Sequence, residues 1–209
     1  MSRFYVGLDL GQRRDHSAVA VVEKLERPRP YGTPEFEAFV VRHLERMPLG
    51  TTYPQVVARV CSMLSAREMH RQCELVVDAT GVGAPVVEML RAEGPACDIS
   101  SVTITGGEKE SGGPGYGGGH YNVPKRDLIA SVQLALEKGE LRISGLLREA
   151  SALVEELVDV RKTARESGRD RVGAERSGEH DDLVIALALA CWKGRRPVKM
   201  NGYGPIRLF

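Results

Sequence analysis

The sequence predicts an α/β domain with a mixed central β-sheet flanked by helices. Residues 4–10 and 17–23 have strand patterns joined by a short polar turn, which is typical of an antiparallel hairpin, and a third strand follows at 35–44. A short apolar run at 75–78, after a segment with helical spacing, is typical of a strand buried on both faces. Residues 183–192 are apolar on every side and too long for an ordinary strand, so they predict a helix in the middle of the domain.

Length and composition limit the classes of protein that fit. A chain of 209 residues suits one domain of generous size or a domain with an insertion. The net charge is +1, so any surface for nucleic acid must come from local clustering of cations. The four cysteines show no Cys-x-x-Cys spacing, which suggests neither a zinc site nor a disulfide framework. Without a signal-peptide pattern or an apolar run long enough for a bilayer, we expect a soluble cytoplasmic protein with no membrane partner.

The first strand carries an unusual residue, Asp9. Aspartate is depleted in strands, and a charge between two leucines is costly unless it is paired or bound to a metal ion. A strand end that faces solvent explains Asp9 equally well. After the third strand, apolar positions at helical spacing predict a helix over 54–70.

A second aspartate, Asp78, ends the buried strand at 75–78. Gly81 and Gly83 allow a tight turn into the next predicted helix, 84–92, which has Pro85 in its first turn. The carboxyl end of a central strand is the place where open α/β sheets bind ligands. Asp78 is therefore a candidate site residue.

The second half of the chain begins, after a strand at 98–105, with a glycine-rich segment, 106–119. It cannot pack a core and is interpreted as a mobile loop or the tip of a hairpin. It lacks the Gly-Lys-Ser/Thr ending of a P-loop, so that motif is rejected. The remaining pattern predicts a helix ending near Gly139, a short strand at 141–143, an amphipathic helix at 146–160 and a basic segment up to the last helix.

The last helix opens with two adjacent carboxylates, Asp181 and Asp182. An Asp N-cap followed by an acidic first turn is the ordinary explanation. If Asp9 and Asp78 lie beside the pair, however, the negative charges repel one another and need compensation. Mg²⁺ and Mn²⁺ suit such all-oxygen ligands, and two such ions could activate a water and stabilise the leaving oxygen in phosphodiester cleavage.

Three of these stretches together resemble a known family. They are Phe-Tyr-Val-Gly-Leu-Asp at 4–9, Leu-Val-Val-Asp at 75–78 and Gly-Glu-His-Asp-Asp-Leu-Val-Ile-Ala-Leu-Ala at 178–188. The segment at 121–128, after the glycine-rich stretch, is also similar. The chain resembles, over nearly its whole length, the C-terminal nuclease domain of the large terminase subunit of tailed bacteriophages. The resemblance implies a ribonuclease H-like fold over 1–196, with a C-terminal tail at 197–209.

The resemblance also implies an activity and a ligand set. The activity is a metal-dependent endonuclease on double-stranded DNA, like the one that cuts concatemeric phage DNA during packaging, with two Mg²⁺ or Mn²⁺ ions. Asp9 and Asp78 would be metal ligands. Asp182 is the favoured third ligand, with Asp181 assisting directly or through a water.

Other residues are weaker candidates by the same resemblance. His180 is similar to a histidine often found near the third carboxylate, although a surface or capping role fits as well. Lys125 could contact the scissile phosphate or orient a water, or simply be a solvated helix start. Asp15 and His16 could approach the site from the first turn. We expect phosphate contacts from two basic segments, which contain Lys125, Arg126, Arg161, Lys162, Arg169 and Arg171.

One feature departs from the family. The chain has no Gly-x-x-x-x-Gly-Lys-Ser/Thr sequence, so the expected packaging partners are a separate terminase ATPase domain, the small terminase or the portal protein. Whether the chain is an excised domain or a stand-alone relative stays open. Two alternatives are an actin-like ATP-binding lobe, as in sugar kinases, and a non-catalytic nucleic-acid-binding module. Such kinases need two lobes, and the chain has room for one.

Overall fold

The structure is a computed structural model that describes residues 3–11, 15–28, 35–81, 83–167 and 181–196, with only the backbone described at 161–167. Thirteen helices and strands lie in these ranges. In chain order they are β1 Arg3–Asp9, β2 Ala18–Arg27, β3 Glu35–Arg46, α1 Tyr53–Leu64, β4 Cys73–Asp78, α2 Gly83–Ala92, β5 Asp98–Thr105, β6 Ser111–Gly115, β7 Gly118–Pro124, α3 Lys125–Glu137, β8 Leu141–Ile143, α4 Ala150–Ser167 and α5 Asp182–Gly194.

The strands form one mixed sheet of eight, in the order β6-β7-β5-β4-β1-β2-β3-β8. Strands β1, β4, β5 and β7 are parallel neighbours, whereas β2 is antiparallel to β1 and to β3. Helices α3, α4 and α5 pack in the core on one face, and α1 and α2 pack in a second core on the other. The predicted α/β class with a mixed central sheet is confirmed.

Helix α5 lies at the centre of its core, and every one of its residues is buried. It contacts β1 and β2 directly. Its close approach to the sheet depends on Gly7, because a Cβ at that position would overlap the carbonyl oxygen of Ala186. The apolar surface around the whole helix is thus buried against the sheet, α3 and α4.

Two segments differ from the sequence-based prediction. Helix α1 ends at Leu64 rather than near residue 70, because Ser65 is followed by turns in which Arg71 adopts a left-handed φ of 56°. The glycine-rich segment forms a hairpin, one of its two expected forms, but β7 also joins the sheet beside β5. The alternation of residues 120–123 extends this hairpin into a region that we expected to be a lead into α3. No helix in the described ranges is both long and apolar enough to span a membrane.

Candidate active site

Asp9 and Asp78 lie side by side at one edge of the sheet. Leu8 pairs with Val77 across the parallel strands β1 and β4, so the two aspartates follow at the same carboxyl-terminal edge. The alternation of side chains puts Asp9 on the same face as Tyr5, which packs in the core around α5. The two carboxyl groups lie close enough to perturb each other's ionisation.

The electrostatics of this pair disfavour two negative charges. Burial holds the pKa of Asp9 well above its usual value, and the charges of Asp78, Asp182 and Asp181 raise it further. Burial also raises the pKa of Asp78, although the backbone N–H of Thr80, which donates to Asp78 Oδ1 at 2.8 Å, acts in the opposite direction. The folded protein therefore stabilises a proton, or another positive charge, between these carboxylates.

Asp181 and Asp182 lie at the start of α5, close enough for their charges to act on Asp9. Asp181 occupies the N-cap position but makes no side-chain capping hydrogen bond. Its carboxylate instead lies 2.6 Å from the ammonium nitrogen of Lys125, the first residue of α3. The side chain of Asp182 is almost fully buried. Asp181 and Asp182 thus occupy the N-cap and the acidic first turn, as the ordinary explanation predicts, but the Asp181 side chain does not cap the helix.

A residue that the sequence did not single out caps α5. The backbone N–H of Val184 donates to Oε2 of Glu156, on α4, at 3.0 Å. Glu156 also forms an ion pair with Arg46, at the end of β3, and is 6% exposed. Nothing in the local sequence separates Glu156 from its neighbour Glu155, because both lie in the same amphipathic helix. Only the packing of α4 against α5 distinguishes them.

The donors at this edge fit a divalent cation, since all are carboxylate oxygens, the ligands that Mg²⁺ and Mn²⁺ prefer. The raised pKa values of Asp9 and Asp78 indicate that positive charge is favoured between them. In the part of the chain that the structure describes, no three His, Cys, Asp or Glu side chains are already arranged to hold an ion. One reason for the missing arrangement is that Asp181 pairs with Lys125, so its carboxylate lies toward α3.

The remaining candidates are more dispersed. Arg126 is 61% exposed at its side chain and donates to the backbone oxygen of Glu108 at 2.8 Å. Asp15 is exposed, and Nδ1 of His16 lies 2.7 Å from the carbonyl oxygen of Met47. The structure thus holds the His16 ring against the backbone. Several predicted residues lie outside the described residues or have side chains outside them: His180, Arg161, Lys162, Arg169, Arg171 and the tail 197–209.

Comparison with known proteins identifies the family of the fold. A family model of the terminase RNaseH-like domain matches residues 6–193. Similar solved structures include the large terminase nuclease from thermophilic phage G20c, at 22% identity and a TM-score of 0.51. Another is the Mn-soaked human cytomegalovirus terminase nuclease domain, at 13% identity and a TM-score of 0.50. Each similarity covers 90% of this chain and 81% of the other. Among curated proteins, none matches the sequence significantly.

Proposed function

Because the chain belongs to the terminase RNaseH-like domain family, we propose that it is a two-metal-ion endonuclease acting on DNA. The observation that carries this proposal is the convergence of Asp9 and Asp78 with the Asp pair of α5 around a point that favours positive charge. The family match favours this function over an actin-like ATP-binding lobe. A non-catalytic module has no use for two adjacent buried carboxyl groups with raised pKa values.

Asp9, Asp78 and Asp182 would hold Mg²⁺ or Mn²⁺, and Asp181 would assist after it leaves Lys125. Bound divalent cations supply an activated water and stabilise charge on the leaving oxygen of a phosphodiester. The contribution of the chain is to gather the carboxylates on rigid elements, the ends of two central strands and the start of a buried helix. Such placement fixes the ligands before substrate arrives.

Lys125 has a second role in this proposal. Its side chain is 54% exposed, and its ammonium group lies against Asp181. If a bound divalent cation compensated the carboxylates, Asp181 would no longer require Lys125 as its partner. The ammonium group can then contact a non-bridging oxygen of the scissile phosphate, for which a lysine is a suitable point charge.

Double-stranded DNA would be held by cations around the acidic edge, because phosphates and bare carboxylates repel each other. We assign this role to Lys125 and Arg126 and to the basic residues after α4: Arg161, Lys162, Arg169 and Arg171. Replacing Lys125, Arg126 and Arg171 together should weaken binding to all sequences alike and flatten the salt dependence by about one unit per lost contact. An unchanged slope in a filter-binding titration would place the DNA elsewhere.

The biological role that we propose is cleavage of concatemeric phage DNA during packaging, in the host cytoplasm. Residues 1–196 would form the nuclease domain, with the 106–119 segment as its hairpin. A terminase ATPase domain, the small terminase and the portal protein are the partners that this role requires.

The deciding experiment is cleavage of supercoiled plasmid with Mn²⁺, with Mg²⁺ and with EDTA. We expect nicked and linear products with either ion and none with EDTA, and no binding of ATP by calorimetry. A soak of crystals in Mn²⁺ should show density between Asp9, Asp78 and Asp182. Cleavage that persists in EDTA would refute the metal-dependent mechanism.

A further inference from the structure

The first turn of α5 has an unusual cap. Its own N-cap residue, Asp181, does not cap it, and the N–H of Val184 donates to Glu156 on a different helix. Glu156 is 6% exposed, so its carboxylate is desolvated and held by its partners. The orientation of the turn that carries Asp181 and Asp182 therefore depends on a side chain of α4.

Arg46 lies between two carboxylates. Its guanidinium is in direct contact with Glu156, and its Nε lies 3.9 Å from Oδ2 of Asp182. At this distance Arg46 and Asp182 form an ion pair without a hydrogen bond, whereas Glu156 holds the guanidinium in direct contact. A guanidinium that moved onto Asp182 would form a close ion pair in a buried setting and would compete with any cation for that carboxylate.

From this arrangement we propose that Glu156 is a positioning residue for the metal-binding carboxylates. It orients the first turn of α5, and it holds Arg46 so that the ion pair with Asp182 stays no closer than 3.9 Å. This inference rests on the proposed function, since it gives Glu156 a role only if Asp182 binds a metal ion. Glu156 itself contacts neither substrate nor metal.

The test is the Mn²⁺ affinity of the full chain, measured by calorimetry with Mn²⁺ alone. Glu156→Ala should raise the Kd roughly tenfold, at the lower end of what loss of a partner of a metal ligand costs. Arg46→Met alone should change the Kd by less than about threefold, because in the parent Arg46 is engaged by Glu156. In the Glu156→Ala background, Arg46→Met should restore most of the lost affinity.

A purely structural role predicts that Mn²⁺ affinity falls together with stability. The positioning role instead predicts that the double variant binds Mn²⁺ more tightly than Glu156→Ala, although it has lost both partners and should melt at the same temperature or a lower one. The matched control is Glu140→Ala, which removes the partner of Arg195 at the opposite end of α5, where the pair distance is 2.6 Å. It should lower the melting temperature and leave the Mn²⁺ Kd unchanged.

The outcomes separate the two proposals. If the parent binds no Mn²⁺, the proposed function fails and this inference fails with it. If the parent binds Mn²⁺ and Glu156→Ala binds it equally well, only the positioning role is overturned. The same holds if Arg46→Met lowers affinity further in the Glu156→Ala background. Should Glu156→Ala fail to fold, Glu156→Gln keeps an acceptor for the Val184 N–H, and the same cycle with Arg46→Met decides the question.

Discussion

Buried carboxylates at the two ends of α5 differ in how their charge is compensated. At the carboxyl-terminal end, Glu74 is compensated: Lys193 lies 3.0 Å from its Oε1, and the hydroxyl of Ser100 donates to the same atom at 2.8 Å. At the amino-terminal end, burial raises the pKa of both Asp9 and Asp78, while the nearby cations lie against other carboxylates: Lys125 against Asp181, and Arg46 between Glu156 and Asp182.

Compensation by a cation is a criterion that distinguishes a structural buried carboxylate from a functional one. The buried carboxylate of Glu74 is paired with Lys193, so this sheet can accommodate a lysine beside a buried acid. Where a cluster of acids keeps its charge uncompensated, stability is lost, and a bound cation is the natural compensation. Substitutions at the two ends should therefore differ in sign as well as in size.

The largest expected effect is on catalysis. Asp78→Asn removes a proposed metal ligand without changing the size of the side chain. Loss of about 4 kcal/mol of metal-assisted stabilisation corresponds to roughly a 10³-fold slower reaction. Plasmid nicking by Asp78→Asn or Asp9→Asn should fall below detection, while Glu74→Gln, measured at a temperature where it is folded, should cut at close to the parent rate. Nicking by either Asp variant in Mn²⁺ would contradict the assignment.

The next effect is on stability at the compensated end. Glu74→Gln leaves Lys193, which is 8% exposed, without its carboxylate. Breaking a buried pair in this way costs roughly 3 kcal/mol, or about 6–12 °C in melting temperature for a chain of this size. Differential scanning calorimetry without metal would measure it. A melting temperature equal to that of the parent would mean that Lys193 is solvated in the native protein.

The opposite sign is expected for Asp9→Asn in EDTA. The folded-state pKa of Asp9 lies above its unfolded value, so the folded protein binds more protons and loses stability as the pH rises above about 4. The amide removes this loss. At pH 7.5 the variant should melt a few degrees above the parent, and the advantage should shrink as the pH approaches 4. Added Mn²⁺ should stabilise the parent only, by about 2.7 kcal/mol at 100 times Kd.

If Asp9→Asn lowers the melting temperature in EDTA at neutral pH, the carboxylate is structural and the comparison between the two ends of α5 fails. Glu74→Asp is the matched control, because it perturbs a carboxylate on the neighbouring strand and should be destabilising with or without Mn²⁺.

The smallest effect concerns a paired carboxylate near the surface. Arg59 hydrogen-bonds Glu45 and lowers its pKa to about 2. Here the folded-state pKa is below the unfolded value, so the stability that the pair adds is present above about pH 4.3 and is lost as the pH falls toward 2. Arg59→Met should cost less than about 1 kcal/mol at pH 7, because Arg59 is half-exposed. Melting curves between pH 3 and 7 should show this difference vanish in acid. The Asp9→Asn difference also shrinks in acid, but it has the opposite sign.

The sequence predicted the elements that local patterns define. Alternation and apolar runs located β1, β4 and β5, and the all-round apolar character of α5 predicted its central position. The expectation that Asp9 and Asp78 meet needed the strand order, which the resemblance supplied and the pairing of Leu8 with Val77 now gives. The two strands of the glycine-rich hairpin were not assigned, because glycine carries no hydrophobic pattern.

The contacts that set the electrostatics could not be predicted. Arg46 and Glu156 are 110 positions apart in the sequence, and Lys193 and Glu74 are separated by more than half of the chain length. Each residue has an ordinary local context: an arginine ending a strand, a glutamate in an amphipathic helix, a lysine in the last turn of a helix. Charge pairing between distant elements depends on how they pack, which sequence periodicity does not encode.

The geometry of α5 restricts which sequence changes this segment can accept during evolution. Asp182 and Lys193 are eleven positions apart, close to three full turns, so both lie on nearly the same side of the helix, about 16 Å apart. Substitution among small apolar residues between them would preserve both ends. Insertion or deletion of one residue would turn one end by about 100° relative to the other, moving either Asp182 or Lys193 away from its neighbours on the sheet. The segment should therefore accept apolar substitutions of similar size more readily than a change in length.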